Sequence, residues 1–154
     1  MPSKRQDLIA SVGKATQAYQ RATDGFDDEV GRKLGLNPTD LRCLDWLTEA
    51  AMTAGELTEA TGLSSAATTT LLDRLERKGY VQRERDTVDR RKVRVALTPG
   101  GRELIGGLYG PLAHDGSQGL AKFTDAELEK VLDFLGEATE IVDRHRRRLR
   151  STRG

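Results

Sequence analysis

Apolar residues recur at alternating intervals of four and three positions in the N-terminal part of the chain. They are Leu8, Val12, Ala15, Tyr19, Ala22 and Phe26. This spacing places one apolar stripe along an α-helix and is typical of a helix that packs against another helix. We expect this helix to span residues 6–30 and to end before or shortly after the acidic run Asp27-Asp28-Glu29.

Helix-end signals predict a helix-turn-helix in the middle of the chain. The segment Thr53-Ala54-Gly55-Glu56 has the Ser/Thr-x-x-Glu pattern of a capping box, whose side chains satisfy free amides at a helix start. Gly62 allows a left-handed turn after this short helix, and Ser64 is suited to cap a second one. The second helix should continue to Lys78 and stop at Gly79.

The residues after Gly79 predict a β-hairpin. Residues 80–85 form its first strand, a charged tip follows, and residues 92–98 form its second strand, in which Val93, Val95 and Leu97 share one face. A further helix is expected before this region, after Asn37-Pro38-Thr39, with Asn37 or Thr39 as its cap. Helix, tight turn, helix and hairpin over residues 38–98 are the layout of a winged helix-turn-helix, which indicates DNA binding.

Two more helices are predicted over residues 99–150. Pro99 suits the first turn of a helix, but Pro111 and the glycines around it should kink or break that helix, and residues 115–119 are a candidate loop. Thr124-Asp125-Ala126-Glu127 is a second capping box and opens a helix with a continuous apolar side. The fold class is therefore mainly α, with a small sheet (α+β). The terminal helices are expected to pair with a second copy of the chain, and the alternative is that they pack back on their own chain.

Composition is compatible with one cytoplasmic domain over residues 1–150. The chain has 154 residues, one cysteine and no apolar run near the ~20 residues of a membrane span, so neither disulfides nor a membrane are expected. The net charge is only +1, but Ser64–Arg94 holds nine Lys or Arg and five acids. A basic central segment in a nearly neutral chain is compatible with duplex binding.

The central motifs resemble the MarR family of bacterial and archaeal regulators. The features that carry the resemblance are Leu75-Glu76-Arg77-Lys78-Gly79 at the end of the second helix, Asp89-Arg90-Arg91 in the wing, and Leu97-Thr98 before the next helix. The resemblance covers about residues 41–104 and otherwise rests on helix order. It implies a triangular homodimer, a helix in each major groove, wings on the flanking minor grooves, and often a small-molecule effector between the lobes.

Candidate DNA-binding residues lie in the second helix and in the wing. Leu71, Leu72 and Leu75 must face the core. The groove-facing candidates near the helix start are therefore Ser65, Ala66, Thr68, Thr69 and Thr70. Arg74 is expected to contact backbone or acids of its own chain. The resemblance gives Arg91 insertion into the minor groove, Asp89 the bracing of Arg91, and Arg90 a phosphate contact. The alternatives are a solvated polar face and a charged hairpin tip. The full set is Ser64, Ser65, Ala66, Thr68, Thr69, Thr70, Arg74, Asp89, Arg90 and Arg91.

Other chemistry-bearing residues point to no enzyme, metal or cofactor. Cys43 shares a helical face with apolar residues and is interpreted as a buried structural thiol rather than a redox sensor. Tyr19, Phe26 and Trp46 could line an effector cavity, although aromatic residues at helical spacing are more often core. There is no phosphate-binding glycine loop, nucleophile motif or metal-ligand set.

The sequence therefore predicts a DNA-binding transcriptional regulator, a repressor that acts as a homodimer on a palindromic operator. The competing interpretation is a winged helix that binds proteins without sequence-specific DNA binding. The charged wing favours the first, since a protein-binding surface would more often expose apolar residues there. Catalysis ranks third.

Overall fold

A long N-terminal helix opens the chain in the computed structural model, which describes residues 3–151. Helix α1 spans Lys4–Leu34, with Ser3 and Gln6 forming a capping box at its start. It ends at Gly35, which adopts φ 65°, a left-handed conformation that glycine takes without strain. The helix therefore runs beyond the predicted end at about residue 30. Val30 is buried in the last turns, and this burial favours helix through the acidic run.

Three helices and one very short strand follow. Helix α2 spans Pro38–Glu49 and is capped by Asn37, which was one of the two predicted caps. Strand β1, Met52–Thr53, was not predicted. Helix α3 spans Ala54–Thr61 and helix α4 spans Ser65–Arg77. The predicted end signals are confirmed, because Thr53 and Ser64 cap these helices and both Gly62 and Gly79 have positive φ.

The predicted hairpin forms two strands of a three-stranded antiparallel sheet. Strand β2 spans Val81–Arg85, strand β3 spans Val93–Leu97, and the strand order is β1-β3-β2. Val95 and Leu97 are buried as their alternation predicts, whereas Val93 is 51% exposed because its end of the hairpin extends beyond the core. We call residues 81–97 the wing.

The core of the helix-turn-helix is built mainly from leucines. Its fully buried members include Leu44 and Leu47 of α2, Leu57 of α3, and Leu72 and Leu75 of α4. Val81, Val95 and Leu97 add the inner face of the sheet. Burying side chains of this size stabilises the fold by roughly 1.5–3 kcal/mol each relative to exposure. This core therefore packs against both α4 and the wing and fixes their relative positions.

Two helices complete the described chain. Helix α5 spans Pro99–Leu120 and contains Pro111, so the predicted break and the predicted loop over residues 115–119 are wrong. Proline removes one donor to the carbonyl four residues earlier, but that carbonyl belongs to Gly107, which is exposed and can be hydrated. Helix α6 spans Asp125–Ser151, and Thr124 and Glu127 form the predicted capping box at its start.

Contacts divide the chain into two units, one up to Leu108 and the other from Tyr109 onwards. The first unit contains the helix-turn-helix and the wing, and the second contains the end of α5 and all of α6. Over residues 3–151, no helix is long and apolar enough to cross a membrane.

Candidate nucleic-acid interface

A threonine predicted to face the DNA groove instead joins helix α4 to helix α3. Thr68 is only 2% exposed, and its hydroxyl lies 2.9 Å from the Thr58 hydroxyl of α3. The same Oγ1 donates to the Ser64 carbonyl at 3.0 Å. Thr68 is thus corrected from a groove-facing residue to one that joins the two helices of the motif.

The remaining candidates near the start of α4 are exposed, but the hydroxyl groups of the serines and threonines among them make different hydrogen bonds. The Ser64 hydroxyl accepts from the Ala67 amide at 3.1 Å, so it serves as the helix cap. Thr69 and Thr70 donate to the carbonyls of Ser65 and Ala66, at 3.0 and 3.1 Å. Ser65 is exposed, and within the described chain its hydroxyl makes no hydrogen bond. The exposed side of α4 over its first turns therefore includes Ser65, Ala66, Thr69 and Thr70.

Arg74 points away from this outer face. Its guanidinium pairs with Asp40, whose carboxylate is buried at the start of α2 and also accepts from the Asn37 amide at 3.1 Å. The expectation that Arg74 contacts an acid of its own chain is confirmed, and a direct DNA contact is not supported. Asp40 went unrecognised in the sequence, although its position as the third residue of α2 suits a capping box.

Arg83 of β2 is likewise paired with acids of its own chain. It forms ion pairs with Glu76 and, at 2.6 Å, with Asp73, both on α4. The hydrogen bond to Asp73 raises the pKa of Arg83, and the charge of Glu76 acts in the same direction. One positive charge thereby offsets part of the negative charge of two acids of α4, which lowers the repulsion between this helix and a polyanion.

The tip of the wing is held by Asp86. One carboxylate oxygen accepts the amides of Val88 and Asp89, at 2.7 and 2.8 Å, and the other pairs with Arg94 of β3. The Asp89 amide and the Arg94 guanidinium lower the pKa of Asp86 to about 2. Arg94 also donates to the Ala51 carbonyl at 2.8 Å.

Arg94 extends this arrangement to the start of α3. One of its nitrogens lies 3.7 Å from Glu56, a member of the α3 capping box. Asp86, Arg94, Ala51 and Glu56 therefore form a chain of contacts from the tip of the wing to the helix-turn-helix. We call these four residues the wing clamp. It was not predicted from the sequence, because its members become neighbours only through the sheet.

Asp89 supports the wing in a different way from the one predicted. Its carboxylate accepts from the backbone amide of Arg91 at 3.1 Å. Within residues 3–151 there is no ion pair between the Asp89 carboxylate and the Arg91 guanidinium. The predicted bracing of the Arg91 side chain is corrected to bracing of its backbone. Arg90 and Arg91 are both exposed.

The nine cations of Ser64–Arg94 fall into two groups. Arg74, Arg83 and Arg94 are paired with carboxylates of the chain. The other six have no carboxylate partner in the part of the chain that the structure describes, and four of them are neighbours in the wing: Arg85, Arg90, Arg91 and Lys92. Positive charge available to a partner is thus concentrated at the wing tip.

Three other predictions concern Cys43, an effector cavity and metal binding. Cys43 is 1% exposed, and burial, with a contribution from Asp40, raises the pKa of its thiol to about 12, as expected of a structural cysteine.

Phe26 lines an open pocket of about 470 Å³ together with residues of α1 and Leu108, but neither Tyr19 nor Trp46 is among the lining residues. Tyr19 is 75% exposed. Residues 3–151 contain no cluster of side chains suited to hold a metal ion.

Comparison with known proteins agrees with this geometry. A sequence profile described as MarR family matches residues 34–92. The chain is 41% identical, over 96% of its length and 97% of the relative's, to a protein of Bacillus subtilis named uncharacterized HTH-type transcriptional regulator YcgE. The chain belongs to the MarR family. It is a DNA-binding transcriptional regulator of the winged helix-turn-helix type.

Solved structures of MarR proteins share the fold. A MarR family protein from Bacillus stearothermophilus is 26% identical, with a TM-score of 0.65, over 93% of this chain and 99% of that one. Apo wild-type MarR from E. coli is 25% identical, with a TM-score of 0.56, over 82% of this chain and 95% of that one.

Proposed function

We propose that this MarR protein is a repressor that binds a palindromic operator as a homodimer and is released by a small-molecule effector. The observation that carries the DNA-binding part is the separation of its cations into paired and available groups. Three arginines stabilise the helix-turn-helix, and four cations without a carboxylate partner in residues 3–151 lie together on the wing. An arginine at such a tip can enter a narrow minor groove, where the negative potential is strongest.

Exposed apolar surface supports the homodimer. In this single chain Leu8, Val12 and Tyr19 of α1 are 48–75% exposed. Within α6, all of which the structure describes, no residue is buried, and Leu132, Val142 and Leu149 are 66–70% exposed. Apolar stripes of this extent on monomeric proteins usually mark an interaction site.

We propose that a second copy of the chain covers these apolar stripes. Two winged helix-turn-helix units related by a two-fold axis would bind half-sites about one helical turn, roughly 34 Å, apart. The two-fold symmetry accounts for a palindromic operator. Occupation of a promoter by such a dimer blocks transcription.

The pocket at Phe26 supports the effector part of the proposal. Its lining includes the ion pair Glu29–Arg32 and, beside it, Lys33, together with apolar groups of Val30 and Leu108. Lys33 is thus the lining cation that is left for a ligand. This mixture suits a small molecule with an apolar body and an acidic group. Such a ligand acts on DNA binding only if it binds the DNA-competent and DNA-incompetent states with different affinity. Tyr19 and Trp46 do not line this pocket, so the effector contacts predicted for them are not part of this proposal.

Fluorescence anisotropy with duplexes from upstream of the coding region tests the proposal. We expect nanomolar binding to one fragment, with log Kd rising linearly with log salt. Arg91→Ala should weaken binding and make the slope shallower by about 0.9 for each phosphate that the variant no longer neutralises. Lys130→Ala, which removes one positive charge from α6, is the matched control and should leave both quantities unchanged. A reporter placed behind the bound fragment should lose expression when the protein is present.

Weak, sequence-independent binding that Arg91→Ala does not alter would contradict this function. The wing would then be a charged turn, and the winged helix would be better explained as a module that binds another protein. Analytical ultracentrifugation tests the dimer separately, because a monomer at micromolar concentration would leave the stripes on α1 and α6 unexplained.

A further inference from the structure

We propose that helix α4 reads thymine methyl groups in the major groove through Ala66, Thr69 and Thr70. This inference rests on the proposed operator binding and adds the class of base that the helix recognises. It predicts that each operator half-site carries A·T pairs beneath the first turns of α4, at positions where the methyl group of thymine faces the protein.

Three small side chains form the outward face of α4 near its start. Ala66, Thr69 and Thr70 are spaced by three and four positions, so they lie on one face of the helix, and all three are exposed. Leu71, Leu72 and Leu75 occupy the opposite, buried face. The outward face is therefore small and uniform, with three methyl-bearing side chains beside one another.

The two threonines offer a methyl group and a hydrogen-bond acceptor. Each hydroxyl donates its hydrogen to the carbonyl four residues earlier, Thr69 to Ser65 and Thr70 to Ala66. Such a hydroxyl retains only acceptor lone pairs. Phosphate oxygens and the guanine edge atoms N7 and O6 are themselves acceptors, so these threonines have no hydrogen to donate to them while the bonds within the helix are kept. Their methyl groups suit the thymine methyl, and their free lone pairs suit the amino groups of adenine or cytosine.

Helix α4 carries few other side chains that could read bases. Residues Ser65–Arg77 include no Asn, Gln or Lys, so bidentate contacts of those types are not available from α4. Arg74 is occupied by Asp40, and Arg77 lies in the last turn. Ser65 retains its hydroxyl hydrogen at the helix start, where phosphate contacts also gain from free amides. Methyl contact is therefore the chemistry by which this face can recognise thymine.

Selection followed by methyl deletion tests the inference. Wild-type protein first selects duplexes from a pool with about 24 random base pairs, enough for two half-sites one helical turn apart. The enriched duplex is resynthesised with single thymines replaced by deoxyuridine, which lacks only the methyl. At one or more positions in a half-site, we expect binding to weaken about fourfold, the factor that corresponds to one buried methyl group. Arg91→Ala, measured on the same duplexes, reports the contribution of the wing.

Matched protein variants assign the effect to individual threonines. Thr69→Ser or Thr70→Ser removes the methyl and keeps the hydroxyl, so the ratio of Kd values for uracil and thymine duplexes should fall from about four to about one. Thr69→Val or Thr70→Val keeps a methyl and removes the hydroxyl, so the ratio should persist even if overall affinity changes. Thermal unfolding of each variant verifies that the fold is intact.

The failure of this inference is distinguishable from failure of the proposed function. If all uracil duplexes bind within about twofold of the parent while Arg91→Ala weakens binding, operator binding stands and thymine readout is wrong. If the ratio persists in the serine variants, other groups read the methyl and the assignment to these threonines is wrong. If selection enriches no sequence, operator recognition itself fails and this inference fails with it.

Discussion

The guanidinium of Arg74, in helix α4, forms an ion pair with the carboxylate of Asp40 at the start of α2. The Asp40 side chain is almost fully buried, whereas that of Arg74 is partly exposed. The same carboxylate accepts the Asn37 amide, so one acid both caps α2 and holds α4 in place. The pair therefore couples the start of α2 to the last turn of α4.

Arg74→Ala should lower the free energy of unfolding by about 2 kcal/mol, because it leaves a buried carboxylate without its cation. The value lies below that for a fully buried pair, since water reaches Arg74. Arg77→Ala, on the exposed side of the same helix, is the control and should change stability by no more than about 0.5 kcal/mol. Urea denaturation measures both, and equal effects in the two variants would show that the Asp40 pair adds no stability.

The wing clamp should affect DNA affinity without contributing a DNA contact. Arg94→Met removes the links of the tip to Ala51 and Glu56, so the wing must be ordered on binding, and we expect about three- to tenfold weaker binding. The slope of log Kd against log salt should equal that of wild type. Arg94→Lys should weaken binding less, because its ammonium can still pair with Asp86. A shallower slope for Arg94→Met would instead identify Arg94 as a phosphate contact.

Asp86 should make the stability of the protein depend on pH in acid. Its pKa is about 2 in the folded protein and close to the ordinary 3.8 when unfolded, so its stabilising contribution is present above pH ~4 and is lost as pH falls through about 2. The difference in unfolding free energy between wild type and Asp86→Asn should be constant above pH ~5 and shrink below pH ~4. Chemical denaturation at a series of pH values measures it, and a difference that does not vary with pH would contradict the assignment.

Glycines in α5 should differ in their tolerance of alanine. A Cβ at Gly106 or Gly116 meets nothing within 4 Å, so alanine should stabilise the helix by about 0.5–1 kcal/mol at each position. A Cβ at Gly101 would overlap the backbone carbonyl of Tyr80, so Gly101→Ala should cost about 1–3 kcal/mol. Thermal unfolding compares the three. Destabilisation by alanine at Gly106 or Gly116 would indicate that a second copy approaches the helix there.

Short-range signals explain why the central elements could be predicted from the sequence. The capping boxes at Thr53 and Thr124 act within four residues, and Gly62 and Gly79 stop helices by their own conformational freedom. Such features depend little on the rest of the fold. The same is true of the alternation in β3, which failed only at Val93, where the sheet extends past the core.

Features that depend on distant contacts were not predictable from the pattern. Thr68 is followed by two further threonines, Thr69 and Thr70, and only the position of Thr58 makes it a buried link between helices. Asp40 and Arg74 lie 34 residues apart, so no local spacing relates them. Pro111 carries a strong breaking signal, and its tolerance depends on the solvent exposure of the preceding turn.

The burial of Cys43 has a practical consequence for spectroscopy. Cys43 is the chain's one cysteine, and its thiol has a pKa of about 12, so almost no reactive thiolate exists at neutral pH. A cysteine introduced at the exposed position Val88, on the tip of the wing, would therefore react selectively with a maleimide dye without removal of the native thiol. A fluorophore there would report the approach of the wing to DNA directly, in a protein that is otherwise unaltered.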